Sequence, residues 1–474
     1  MRLNRRRALQ GLSASAALGS WGMAGIGAGA CAGPVAPEKV DLLGLAQKRI
    51  GTFVVVMMEN RSFDHAFGSL SLVEGRSDVD GLLSSTTNPD AAGALITAQQ
   101  SDLACINDPP HGWESSHRQW NAGACDGFVT EYGASSGGDA GTRVMDYLPA
   151  TKQTASRALG LEYALCQRWF ASVMGPTWPN RFHMLTCTSQ GIQTNTFLPQ
   201  PQATIFSVMD KAKVQWANYY GNVPFAVTID VSTSFPEVEP LQRFFDDAAA
   251  GVLPPVVIID PVYGRSDDHP PSHPVAGQLF IQSIYDALRT SPQWNESLLA
   301  VTYDEHGGFH DHVPPPTTVD DFAAEGFDQL GFRVPSFVVG PFVKKQVSDV
   351  VFDHTSIYAT IAALHGLDPI RQRDAAANNL LGLLDEDLLR EDKPRAGLQL
   401  APIVADESEI FAESCRGFSF HGHDEVGSVT GQPELEAALA NKSKHRFDRL
   451  RADTDGVWRD LVDRARSKGL LKLM

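Results

Sequence analysis

Positive charge is in short supply in this 474-residue chain: 39 Lys and Arg stand against 56 Asp and Glu, a formal net charge of −17 at pH 7. Such a surface repels phosphate backbones and anionic leaflets at long range. That excludes a general nucleic-acid binder while leaving room for a local basic or metal-bearing pocket. Cysteine is sparse, six residues in all, and no Cys-x-x-Cys pair occurs, which argues against a zinc cage. No internal repeat is visible. The 43% apolar and 20% charged shares are those of a globular protein, so disorder, collagen and coiled coil are set aside. An acidic protein that must hold an anion needs cations inside its site, and a metal supplies them most economically.

Long hydrophobic runs are missing as well. Arg5-Arg6-Arg7 leads into a Gly/Ala-rich stretch that ends at Ala30, interrupted by Gly and Ser and poor in Leu and Ile. A permanent membrane span is the weaker reading; the paired arginines point to a twin-arginine export signal over residues 1–33, and so to a periplasmic or secreted protein. Cleavage after Ala30 makes Cys31 the first mature residue. A lipid anchor there stays open, with simple cleavage favoured because Ala28, not a bulky aliphatic, stands three residues before it. In an oxidising compartment a Cys105–Cys125 bridge is expected, with Cys166 as a plain core thiol.

What is present is a series of short apolar runs, each ending in polar residues. Phe53–Met58 runs into Glu59-Asn60, Val256–Ile259 into Asp260, Leu298–Tyr303 into Asp304-Glu305, and Ser336–Val339 into Gly340-Pro341. These read as buried parallel strands. Helical spacing over Ala276–Leu288 and Thr355–Leu364 lies between and after them. The fold class is therefore α/β, with a mostly parallel central sheet, helices on both faces and long loops over the active-site edge. Residues 69–150 read as those loops, residues 34–430 as one catalytic domain, and residues 431–474 as a helical tail packed on it. Ligands gather at the carboxyl ends of such strands, where these carboxylates sit.

Four constellations carry chemistry. Glu59 and Asn60 offer hard oxygen ligands at a strand tip, although Asn60 or Ser62 could equally start a helix. In Gly175-Pro176-Thr177-Trp178-Pro179-Asn180-Arg181 an apparent strand (Trp169 to Met174) breaks before a helix. Thr177 then sits at a helix N-terminus, as a plain cap or beside a bound phosphate. Asp304 and Glu305 open a ligand-dense string that continues through His306, Gly307-Gly308, His310, Asp311 and His312. Neighbouring strand residues point to opposite faces, so the two acids share one ion only if the glycines bend the chain. His111, His269 and His354 each stand beside an acid able to orient an imidazole, although His354 also reads as a helix-start residue.

At these strings the chain resembles the bacterial phosphoesterase family of phospholipases C and acid phosphatases, relatives of alkaline phosphatase in fold. The matching stretches are Glu59 to Gly68, Gly175 to Arg181, Asp268 to Pro271, Tyr303 to Pro316 and Asp353 to Ser356, in the family's order. The resemblance implies Glu59, Asn60, Asp304 and Glu305 as ligands of a divalent metal ion. It implies Thr177 as nucleophile, and His111, His269 and His354 as the ring that contacts phosphate oxygens and the leaving group. It also implies a phosphoester substrate, with phospholipid favoured over a phosphomonoester; a non-catalytic binding protein is the remaining alternative. Ala66 and His310 stand where many relatives carry Tyr, and Cys125 where Met is usual, which bears on substrate fit. A sulfatase needs Cys or Ser where this chain has Thr177.

Overall fold

The structure is a computed structural model that describes residues 41–411, 415 and 453–474, except 102, 104, 137, 197, 199–202 and 230–236. The expected export signal, Cys31 and residues 431–452 of the expected tail lie outside the described residues.

Eight strands form the central sheet: β1 (Thr52–Met58), β2 (Ala164–Cys166), β3 (Trp216–Tyr220), β4 (Val238–Pro240), β5 (Val256–Asp260), β6 (Ser297–Tyr303), β7 (Phe337–Val339) and β8 (Gln346–Ser348). Their order across the sheet is β8-β2-β7-β6-β1-β5-β3-β4. Neighbours pair parallel except at β7, which runs antiparallel to both β6 and β2. The mostly parallel α/β sheet is as expected, and the run ending at Val339 is the strand that reverses. An apolar run buried on both faces fixes depth in the sheet but not direction. Every residue of β1 and β6 is buried, which is why both read as continuous apolar runs.

Seven helices position the site and its support: α1 (Leu42–Arg49), α2 (Trp113–Trp120), α3 (Phe128–Ser136), α4 (Thr177–Thr186), α5 (Pro274–Arg289), α6 (Thr355–His365) and α7 (Thr454–Ser467). Helix α5 packs with Thr154–Glu162, Leu241–Ala250 and α7, while α6 packs with α1 and α4. The stretch read as loops from residue 69 carries α2 and α3 and a small apolar cluster of its own. In it Cys125, Phe128, Val129, Tyr132, Val144 and Met145 pack against Phe332.

Two local expectations fail. Residues 169–174 form no strand and make only isolated bridges at Trp169 and Phe170. The Asn180 side chain takes the place of a ladder partner: its Oδ1 accepts from Val173 N (3.0 Å) and its Nδ2 donates to Val173 O (3.3 Å). The disulfide joins Cys105 to Cys415, Cα atoms 5.4 Å apart, and not to Cys125. Cys125 is a free thiol held inside the small cluster, and Cys166 is free and fully buried in β2.

The α7 helix presents Trp458, Leu461, Val462 and Ala465 to the main core, and Arg265 reaches Asp455 at its start (2.8 Å). No helix among the described residues is long and apolar enough to cross a membrane. Trp458 is buried, so Trp458→Ala is expected to cost about 3 kcal/mol of unfolding free energy, read from a denaturant midpoint. A midpoint within error of wild type would mean that α7 is not part of the cooperative core.

Candidate active site

Strand register builds the site. The last pair of the β1–β6 ladder is Met58 opposite Tyr303, so Glu59-Asn60 and Asp304-Glu305 leave the sheet side by side. Asp304 N donates to Met58 O (3.1 Å), and Asn60 N donates to Asp304 Oδ1 (3.2 Å). Asn60 adopts a left-handed backbone (φ 39°), uncommon for a residue with a side chain. The bend that the glycines allow after Glu305 is present. Gly307 and Gly308 both have positive φ, and a Cβ on Gly307 would lie 2.4 Å from Asn60 O. Gly307 N donates to Glu305 Oε2 (2.7 Å) and Glu305 N donates to Asp304 Oδ1 (2.7 Å), and both acids are fully buried at the tip.

Helix α4 is clamped to these tips by Arg181, a residue to which the sequence alone assigns no role. Its guanidinium donates to Asp304 Oδ2 (3.1 Å), Met57 O (3.2 Å), Met58 O (3.1 Å) and Tyr263 Oη (2.9 Å), and pairs with Glu59 Oε1 at 3.3 Å. Asp260 lies 3.7 Å away. Thr177 opens α4, four residues earlier, so it shares a helix face with Arg181, about 6 Å along the axis. No side chain caps this helix end. The Trp178 N–H is engaged by Asn195 Oδ1 (2.8 Å) and Pro179 has none, so the anion-binding capacity of this terminus is narrower than the sequence implied.

His111 stands over the same tips. Its Nδ1–H donates to Pro109 O (2.7 Å), which turns Nε2 toward Asn60 Nδ2 (3.2 Å) and Glu305 Oε1 (3.8 Å). His269 is fixed the same way by Pro270 O (2.7 Å), its ring centre 5.8 Å from that of His111. His354 is different. Its Nε2–H donates to Asp304 O (2.6 Å) and its Nδ1 accepts from Trp169 Nε1 (3.3 Å). Both nitrogens are taken, so His354 steadies the Asp304 backbone and has none left for a leaving group.

The electrostatics stem from burial. Desolvation and the Asp304 carboxylate push Glu59 well above the usual carboxylate range, against the pull of Arg181. Burial raises Asp304 to about 6, with Arg181 opposing. Burial also works to raise Glu305, but His111 and His306 outweigh it and hold Glu305 below its ordinary value. Burial lowers His354 to about 4.

The rest of the histidine-rich string turns elsewhere. His306 donates to Gln119 Oε1 (2.7 Å), while Asp311 and His312 join Asp64 around a second buried arginine, Arg333. There His312 is raised to about 9: burial opposes the charge, but the Asp64 hydrogen bond together with the Asp64 and Asp311 charges outweighs it. Among the described residues, ligand-type atoms of three such side chains come within 4.8 Å of one another in two groups: Asp108, His111 and His269, and Asp64, Asp311 and His312. The Glu59, Asp304 and Glu305 set is not one of them, and Arg181 bridges Glu59 to Asp304. Arg181→Gln would strand those two buried acids, and a loss of about 3–5 kcal/mol in unfolding free energy is expected. Wild-type stability in that variant would show that the clamp is not needed.

The Phosphoesterase family matches residues 50–368, which contain every candidate site residue. Non-specific phospholipase C1 of Arabidopsis thaliana is 32% identical over 398 residues, 74% of this chain and 73% of that protein. Non-specific phospholipase C6 of the same plant is 33% identical over 404 residues, 76% of this chain and 77% of that protein. Phospholipase C A of Mycobacterium tuberculosis is 28% identical over 439 residues, 79% and 82%. A solved protein of the alkaline phosphatase superfamily from Vibrio parahaemolyticus aligns over 71% of this chain and 79% of that one, with 11% identity and a TM-score of 0.33. The chain therefore belongs to the Phosphoesterase family and is a phosphoric ester hydrolase.

Proposed function

We propose that the chain is a metal-dependent, phospholipase C-type hydrolase that acts through a phosphothreonine at Thr177. The observation that carries this reading is the Arg181 clamp, which ties the helix face bearing Thr177 to the acidic strand tips. The relatives named phospholipase C favour a phosphodiester over a phosphomonoester substrate.

A cation suits the tips. Asn60 Oδ1 and Glu305 Oε1 are buried without a hydrogen-bond partner, and Glu59, Asp304 and Glu305 outnumber the single Arg181 among them. Glu59, Asn60, Asp304 and Glu305 would hold the ion, whose chemistry when bound is Lewis-acid charge for the phosphoryl oxygens and the nucleophile. The protein's own groups do the rest. Thr177 Oγ1 gives its proton to solvent water and attacks phosphorus in line, forming the Oγ1–P bond as the bond to the leaving alcohol breaks. His111 and His269 meet the nonbridging oxygens, and a protonated His269 Nε2 hands its proton to the leaving oxygen. His354 keeps Asp304 in place behind them. Water then cleaves the Oγ1–P bond and restores the threonine hydroxyl.

Thr177→Ala is expected to lower turnover by about three orders of magnitude or more, assayed on phosphatidylcholine beside p-nitrophenyl phosphate and its phosphorylcholine ester. Near-normal turnover refutes the nucleophile, and exclusive use of the monoester refutes the phospholipase C reading. Metal ligation requires deprotonated carboxylates, and Asp304 titrates at about 6 with Glu59 raised too. Protons therefore compete with the ion at low pH. Adding a divalent cation to chelator-stripped protein should raise Tm more near about pH 8 than near about pH 5. Equal shifts at both would place the ion elsewhere.

A further inference from the structure

Asp108 has no part in the hydrolytic steps, yet it sits between the two imidazoles that face the strand tips. Its Oδ1 is 3.5 Å from His111 Nδ1 and its Oδ2 is 3.8 Å from His269 Nε2. The His111 Nδ1 proton goes to Pro109 O and the His269 Nδ1 proton to Pro270 O, so on His269 it is Nε2 that faces the carboxylate. A gap of 3.8 Å is too long for a hydrogen bond and short enough for strong Coulomb attraction. An imidazolium at His269 is thus stabilised while its Nε2 proton stays uncommitted. A hydrogen-bonded carboxylate would hold that proton; a displaced one leaves it for a substrate oxygen. We propose that Asp108 is a positioning residue that keeps His269 cationic with its Nε2–H free for the leaving-group oxygen.

This rests on the phosphoester hydrolase reading of the site. The other charged groups around His269 do not replace Asp108. Asp267 Oδ1 accepts from the His269 backbone N–H (3.3 Å) and is shared with Ser272 Oγ (3.2 Å). Asp268 is engaged by Tyr303 Oη, and its carbonyl by Arg61 Nε (2.9 Å). Glu305 turns toward His111 and Gly307. Burial disfavours the charged imidazole, yet His269 is raised above its ordinary value, with Asp108 the first group opposing burial and Asp267 next. Removing the carboxylate therefore lowers the His269 pKa, and the protonated acid is lost at lower pH. Asp108 also keeps about a third of its side-chain surface exposed (31%), so an isosteric amide can replace it without opening a core.

The test compares wild type, Asp108→Asn and Asp108→Glu as full chains. The readouts are kcat and KM against pH on phosphatidylcholine, whose alkoxide leaving group needs the proton, and metal content by elemental analysis. In Asp108→Asn the alkaline limb of kcat is expected to move to lower pH. Turnover at wild-type optimum should fall about tenfold or more, KM should change little, and metal content should stay as in wild type. Asp108→Glu should move the limb back toward wild type. An alkaline limb in Asp108→Asn that coincides with wild type overturns the proposal. So does loss of one metal equivalent in that variant, which would make Asp108, His111 and His269 an ion site instead. Absence of turnover in wild type itself would fail the hydrolase reading, separately from this one.

Discussion

A single buried guanidinium, Arg181, sets the geometry on which the candidate site depends. It is fully buried, and it meets two backbone carbonyls at the end of β1 and carboxylates at the ends of β1, β5 and β6. Without a cation there, three acids would converge in a medium that solvates none of them. With it, the helix bearing Thr177 has one register against the sheet. Arg333 plays a parallel part on the far side of the bend, where it holds Asp64 and Asp311 and so fixes the string after Glu305. Two arginines in an acid-rich chain thus do locally what its overall charge opposes.

The tip residues are legible in the sequence because parallel strands in register end together, and apolar runs ending in Glu59-Asn60 and Asp304-Glu305 state that register in one dimension. Arg181 is not legible, since an arginine one helical turn past a threonine looks like any surface cation until its partners are known. His354 shows the opposite failure. Its neighbour Asp353 suggests an orienting carboxylate, yet Asp353 is occupied by Arg373, and the imidazole binds Asp304 O instead. Residue type marks capacity for chemistry; only the fold tells which nitrogen is left free.

Other misreadings share that origin. The reversal of β7 leaves no trace in an apolar run buried on both faces. Within residues 169–174 the strand fails at Val173, where the side chain of Asn180, seven positions later in the chain, supplies the bonds that a neighbouring strand would. In the dense string from Asp304 to His312, spacing cannot separate the two acids at the tips from the groups committed to Arg333. The glycine pair does mark a bend, and its tight approach to Asn60 O and Pro110 O explains why nothing larger fits there.

The bond between Cys105 and Cys415 spans 310 positions. Cys105 lies three residues before Asp108 and six before His111, in a stretch without regular secondary structure. The backbone that delivers these two groups is therefore fastened to a part of the polypeptide made long after it. The strand tips and Thr177 are held by hydrogen bonds and ion pairs that need no oxidant. The wall carrying Asp108 and His111 is fastened to residue 415 only where the compartment oxidises the two thiols, which separates building the pocket from locking it.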